Sequence, residues 1–168
     1  MNCFDVTRIL NSQGADKNHM GAVLENLHKN DLLPTWGPGS TGAELAPQHI
    51  VNIILGASAP NPAQAAQHVG TAAQLQAGDG YTLENVLLKI ILSEPCRIQV
   101  EEISIAATGA TIRYADGTVT LLGEGKAFQH TCIIRGSLLG MIALKMQRPT
   151  TSGFTTRCDN SGAGIEPA

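Results

Sequence analysis

The sequence predicts an α+β protein: three helices at the start, an Ala-rich linker helix, then a C-terminal small antiparallel sheet with flanking helices. Two observations carry that prediction. Apolar residues recur at helical spacing in several stretches, and later they alternate at the two-residue period of a strand. A third observation places the division, because residues 57–80 are mostly Ala, Gln, Gly and Pro between two apolar blocks. The expected organisation is a helical unit over residues 1–58, a linker helix over 59–80, an α+β oligomerisation domain over 81–146, and a flexible tail or partner-binding arm over 147–168.

Val6, Ile9 and Leu10 mark a first short helix ending near Asn11-Ser12-Gln13-Gly14. Asp16 caps a second, since its carboxylate accepts the free N–H groups of the following turn. Met20, Val23, Leu24 and Leu27 fall at i, i+3, i+4 and i+7 as its apolar stripe. Pro34 bounds it, and residues 36–42 are turn and loop chemistry. A third helix opens at Ala46-Pro47, where the missing proline N–H would be unpaired in any case. It carries Ile50, Val51, Ile53, Ile54 and Leu55. Pro60-Asn61-Pro62 breaks the chain before the Ala-rich helix, expected over residues 63–75 with Val69, Ala72, Ala73 and Leu75 as its apolar face. Gly78-Asp79-Gly80 ends it.

Thr82 caps the next helix, which runs through Leu92 with Leu83, Val86, Leu87, Ile90 and Ile91 at helical spacing. Residues 98–106 alternate like a strand. Residues 111–114 and 119–122 flank Asp116-Gly117, a hairpin signal because Gly adopts positive φ without a Cβ clash. Residues 131–134 read as a fourth strand. Arg135-Gly136-Ser137-Leu138 reads as a strand end, a turn and an N-cap at Ser137, opening a closing helix over residues 137–146.

Composition excludes several classes. The 168 residues are enough to bury a core. Hydrophobic residues make up 43% and charged ones only 15%, against a usual ~25% charged. A coiled-coil rod, a wholly disordered chain and an Arg/Lys-rich nucleic-acid coat are ruled out. A surface poor in charge and rich in Ala, Gly, Thr and Asn points to a homo-oligomer. The start of the chain carries no basic and apolar leader, and the longest apolar runs, residues 50–55 and 83–92, fall short of the ~20 residues of a membrane span. No membrane and a cytoplasmic location are therefore expected. Cys3, Cys96, Cys132 and Cys158 lie far apart without a CxxC pair, so neither a zinc site nor a disulfide framework is expected. His130 and Cys132 would share one strand face, with nothing nearby to complete a metal site. No metal and no cofactor are expected.

The first 58 residues carry a more specific pattern. Two short helices meet across Gly14, the second capped by Asp16. Asp31-Leu32-Leu33-Pro34 then leads to a glycine-rich loop ending at Gly42, followed by Glu44-Leu45-Ala46-Pro47 and an apolar helix. That order resembles the winged helix-turn-helix of the MerR superfamily, and it is similar to the start of small phage and prophage DNA-binding proteins, which include transcriptional regulators and small terminase subunits. The resemblance implies a helix-turn-helix with a wing over residues 36–44. The wing holds no Arg or Lys and no heptads follow, so the topology carries over and the metal- or drug-sensing role does not.

Opposite its apolar stripe the second helix displays Lys17, Asn18, Gly21, Ala22, Glu25 and Lys29. Asn18 can read an adenine edge, Gly21 allows close approach, and Lys17 and Lys29 can reach phosphates. Arg8 on the first helix adds another phosphate contact. Residues 1–75 nevertheless hold three Lys/Arg against five Asp/Glu. Phosphate neutralisation supplies most non-specific affinity, so double-stranded DNA would be bound by an assembled form, whose copies act at high effective concentration. The expectation is an oligomeric phage-type DNA-binding protein, for packaging or transcription. The alternative is a structural or adaptor protein whose helix-turn-helix contacts protein, and the C-terminal stretch with Lys145, Arg148 and Arg157 is read as an arm for a neighbouring subunit, DNA or a large partner.

The remaining residues suggest no chemistry. Glu101 and Glu102 are adjacent, hence on opposite strand faces. His19, His28, His49, His68 and His130 are scattered, and neither Gly78-Asp79-Gly80 nor Gly123-Glu124-Gly125 matches a phosphate-binding loop. No enzyme is expected. Leu87, Ile91, Ile133, Leu138, Met141 and Ile142 are expected in the core or an interface.

Overall fold

The computed structural model describes residues 1–34, 43–78, 80–106, 108–123 and 132–147. Among them the chain is α+β, with seven α-helices and one four-stranded antiparallel sheet. None of the described helices is long and apolar enough to cross a membrane. Residues 36–42 of the expected wing, which was placed over 36–44, and the tail from residue 148 lie outside the described residues.

Helix α1 (Cys3–Ser12) is closed at its start by a reciprocal pair of bonds. The Asp5 amide donates to the Asn2 side chain at 3.0 Å and the Asn2 amide to the Asp5 carboxylate at 3.3 Å. Gly14, at φ +99°, turns the chain into α2 (Lys17–Lys29). Asp16 caps α2 as its sequence position implies, accepting from the His19 amide at 2.7 Å. Met20, Val23 and Leu27 are fully buried and Leu24 half-buried. The corner after α2 is a Schellman closure, with the Leu32 amide bonded to the Leu27 carbonyl at 3.0 Å and the Asp31 amide to the His28 carbonyl at 3.2 Å. Asp31 takes the left-handed position, φ +56°, that glycine usually fills.

Helix α3 (Pro47–Ala57) is buried without interruption from Ile50 to Gly56. An all-round apolar helix belongs in an interior, and here α2, α4 and α5 surround it. Beyond it the Ala-rich segment departs from expectation. Asn61 accepts from the Ala63 amide at 3.0 Å, and a 3-10 turn (Pro62–Gln64) precedes the shorter α4 (Ala65–Ala73). Leu75 is not helical: its carbonyl accepts from the Leu83 amide at 2.8 Å, which draws the chain back toward α5 (Leu83–Leu92). Thr82 caps α5 through the Asn85 amide at 3.3 Å.

A four-residue helix, α6 (Glu94–Arg97), follows and was not expected. The buried Arg97 guanidinium donates to the Ile91 carbonyl at 3.1 Å, covering the open end of α5. Ile98, the C-cap of α6, keeps helical backbone angles, so strand β1 begins at Val100 rather than at residue 98.

The sheet comprises β1 (Val100–Ala106), β2 (Gly109–Tyr114), β3 (Val119–Gly123) and β4 (Cys132–Arg135), in the order β3-β2-β1-β4. Ile103, Ile105, Ala110, Ile112, Leu122 and Ile134 form its buried face. The pairing register shifts between Val100 and Glu102, so Glu101 is bulged and strict alternation is interrupted at the Glu101-Glu102 pair. The predicted hairpin is present, with Gly117 at φ +84° and the Asp116 carboxylate accepting from the Thr118 amide and hydroxyl at 2.8 and 2.7 Å.

The turn expected at Gly136 is absent, and β4 runs straight into α7 (Gly136–Gln147). A Cβ at residue 136 would sit 1.9 Å from the Val100 carbonyl oxygen, so only glycine lets the helix start against β1. Leu138, Leu139, Ile142 and Ala143 bury α7 on β1, β4 and α5, while Met141 is partly exposed and Ile133 exposed. Helix α1 packs against α7, with the Lys145 ammonium 2.8 Å from the Asp5 carboxylate. One buried cluster extends from Cys3 to Ile142.

Gly136→Ala should therefore destabilise the protein by about 3 kcal/mol, since the clash is with backbone that cannot step aside. Denaturant unfolding measures it, and a loss below about 1 kcal/mol would contradict this account of the β4–α7 junction.

Candidate nucleic-acid interface

Helix α2 turns one side to α3, and that side fixes the other. Lys17, Asn18, Gly21, Ala22, Glu25 and Lys29 are all exposed, opposite Met20, Val23 and Leu27. The structure thus brings together six of the seven residues singled out from the sequence. A Cβ placed on Gly21 would meet no atom within 4 Å. With Ala22 beside it, the middle of the face is low enough for close approach by another molecule.

The charges on this face are largely matched locally. The Lys29 ammonium lies 2.7 Å from the Glu25 carboxylate, one helical turn away. The hydrogen bond from Lys29, with its charge, holds the Glu25 carboxyl below its ordinary value. Both side chains are solvent-exposed, and pairs of this kind are weak, so a phosphate could compete for Lys29. Among the described residues Lys17 forms no ion pair.

Arg8 is placed elsewhere. Its guanidinium lies 3.2 Å from Asp5, whose same oxygen receives Lys145 of α7. Burial pushes the Asp5 carboxyl up, but Lys145, the Asn2 amide and Arg8 outweigh it and hold the group below its ordinary value. Arg8 therefore belongs to an α1–α7 cluster and not to the α2 face.

Two arrangements escaped the sequence reading. Asn26, at the flank of α2, donates to the Ala63 carbonyl at 2.7 Å and accepts from the Ala66 amide at 2.8 Å, clamping α2 to the start of α4. No local motif announces that role. The second is a buried pair, Ser58 at the end of α3 and His68 on α4, with Oγ and Nε2 2.9 Å apart. The Ser58 hydroxyl also donates to the Leu55 carbonyl at 2.7 Å. With that hydrogen committed, Oγ accepts from the histidine N–H. The protonated nitrogen then faces the hydroxyl, the reverse of what activating a serine nucleophile needs. The pair joins two helices and satisfies two buried polar groups.

A cleft of about 290 Å³ between α5 and the sheet is lined by Tyr81, Asn85, Lys89, Cys96 and Tyr114 among others, at the lower limit of small-molecule sites. Among the described residues no three His, Cys, Asp or Glu side chains gather as a metal site, and His130 lies outside those residues. Burial raises the Cys3 thiol to about 11 and pushes Cys132 up as well, which keeps both protonated at neutral pH. No family model, curated protein or solved structure matches the chain.

Burial lowers the pKa of His68, and of His28, below the ordinary 6.5. As pH falls below about 6.5, the unfolded chain takes up protons that the folded protein refuses, so stability declines by up to about 1.4 kcal/mol per pH unit for each histidine. The melting temperature should fall between neutral pH and pH 5, and His68→Gln should remove part of that dependence. A flat profile would show that neither ring is held neutral.

Proposed function

We propose that this chain is an oligomeric, phage-type DNA-binding protein in which α1 and α2 act as a helix-turn-helix. The single observation that supports it is the outer face of α2. A well-capped helix keeps Lys17, Asn18, Gly21, Ala22, Glu25 and Lys29 clear of the rest of the fold, on a low, polar surface of a width that suits a major groove. Lys17 and Lys29 would meet phosphates and Asn18 a base edge, with Arg8 a further contact if DNA reaches α1. With Lys29 and Arg8 already paired to carboxylates, one copy binds weakly, and several copies on one duplex supply the affinity. Recognition of viral DNA for packaging and transcriptional regulation are both served by this arrangement. The reading includes a cytoplasmic setting and no catalytic role. The second reading is a structural or adaptor protein, favoured by the near-neutral charge of the same face, with protein rather than DNA against α2.

Titration of labelled duplex DNA at two ionic strengths separates them. Affinity should fall steeply with salt, and Lys17→Ala should weaken binding several-fold while lowering the salt slope by about one. Glu25→Gln frees Lys29 and should tighten binding several-fold. Absence of binding at low salt by the full chain, or indifference to both substitutions, would leave the adaptor reading in its place.

A further inference from the structure

Among the described residues nothing packs on the face of the sheet opposite its helices, and its residues form two cross-strand rows. Following the register from β3 to β4, the first row is Val119, Arg113, Glu102 and Arg135. The second is Leu121, Thr111, Ser104 and Ile133. Val119, Leu121 and Ile133 are 53%, 58% and 59% exposed, a large fraction for β-branched or Leu side chains on a sheet. Among the described residues Arg113 and Arg135 form no ion pair, and Glu102 accepts only from the Ser104 hydroxyl at 3.3 Å.

These rows complement themselves. A two-fold axis parallel to the strands, between β1 and β2, sets β1 of one copy over β2 of the other and β4 over β3. Heights along the axis are preserved by the rotation, so each row meets its own reverse. Glu102 then faces Arg113 of a second copy, twice by symmetry. Ser104 faces Thr111, and Ile133 faces Leu121. Three of the four juxtapositions match in chemistry; only Arg135 over Val119 is neutral to the pairing. Sheets stack face to face at about 10 Å, a gap that extended Glu and Arg side chains bridge from either side, with Ile133 and Leu121 filling the flanks.

We propose that the open face of the sheet is a homodimer interface in which two copies stack β1 on β2 through reciprocal Glu102–Arg113 ion pairs and Ile133–Leu121 contacts. A self-complementary patch of this kind is what two-fold symmetry requires. The face is four short strands wide, so the contact is small among specific interfaces, and its dimerisation is to be measured across the micromolar range. It rests on the oligomeric part of the DNA-binding reading and supplies the second copy that the reading needs.

Sedimentation of the full chain under reducing conditions, over a concentration series, tests it. A monomer–dimer equilibrium is expected. Leu121→Lys, an exposed substitution that leaves the fold intact by its melting curve, should abolish the dimer. Glu102→Arg and Arg113→Glu should each weaken it at least about tenfold, and the double variant should regain most of the loss, because the swapped charges again face each other. A strict monomer throughout the micromolar range, as when residues 148–168 of the same chain cover the face, overturns the proposal. So does a dimer indifferent to Leu121→Lys, or one rescued by Arg135→Glu in place of Arg113→Glu, which would set β1 over β4. DNA binding measured on the same variants keeps the two readings apart. A dimer through another face, with DNA binding intact, overturns the sheet contact alone, whereas a Leu121-dependent dimer that binds no DNA overturns only the DNA reading.

Discussion

Between Ile50 and Gly56, α3 has no side exposed to solvent, and the arrangement of its neighbours follows from that. A helix apolar all round can be stable only if other elements cover every side. Helix α2 comes close because residue 56 is glycine: a Cβ there would lie 3.0 Å from a Leu27 methyl and 3.1 Å from a Val23 methyl. The one polar side chain in the stretch, Asn52, donates to the Leu32 carbonyl at 2.9 Å and accepts from Gln48 at 3.4 Å. An unpartnered buried amide would cost about 1–3 kcal/mol. The bond to Leu32 is possible because the Schellman closure at Asp31 turns that carbonyl toward α3. Gln48 in turn donates to Glu84, tying α3 to the first turn of α5.

Covering α3 leaves little of the helical layer free. Met20, Val23 and Leu27 are committed to the core and Asn26 to α4, so α2 retains only its outer face for a partner. Cations are similarly committed. Asp5 holds both Arg8 and Lys145, Glu25 holds Lys29, and Arg97 closes the end of α5. Among the described residues, the remaining cations without an ion pair are Lys17 on the polar face of α2, Arg113 and Arg135 on the sheet face, and Lys89 beside the α5 cleft. Neither face resembles the strongly positive surface of a protein that grips DNA as a single copy. The helix face suits shape and hydrogen-bond readout, and the sheet face suits another copy of the chain. In the proposed reading, the two faces together are what would let a slightly acidic chain recognise DNA as an assembly.

Much of the secondary structure was legible in the sequence. The caps at Asp16 and Thr82, the stripe from Met20 to Leu27, the proline opening of α3 and the Asp116-Gly117 hairpin all depend on residues within four positions of one another. Local rules of period and capping therefore sufficed. The outer face of α2 was legible for the same reason, since a buried stripe fixes what lies opposite it.

Other features depend on residues far apart in the chain, and these only the tertiary structure decided. Gly136 opens a helix rather than a turn because the Val100 carbonyl stands where a Cβ would go. The Ala-rich helix ends at Ala73, and Leu75 instead accepts from the Leu83 amide, while α6 lies where Arg97 can reach the end of α5. Arg8 was read as a further phosphate contact from the first helix, and the structure pairs it with Asp5, which also receives Lys145 of α7. Ser58 with His68, and the two rows across the sheet, come together from separate elements. The sequence determined which segments are helix or strand and which side of each is apolar, because those are properties of neighbours. Which side chains meet, and hence which charges are left to face a partner, was decided by packing, because close contact is set by distance in space.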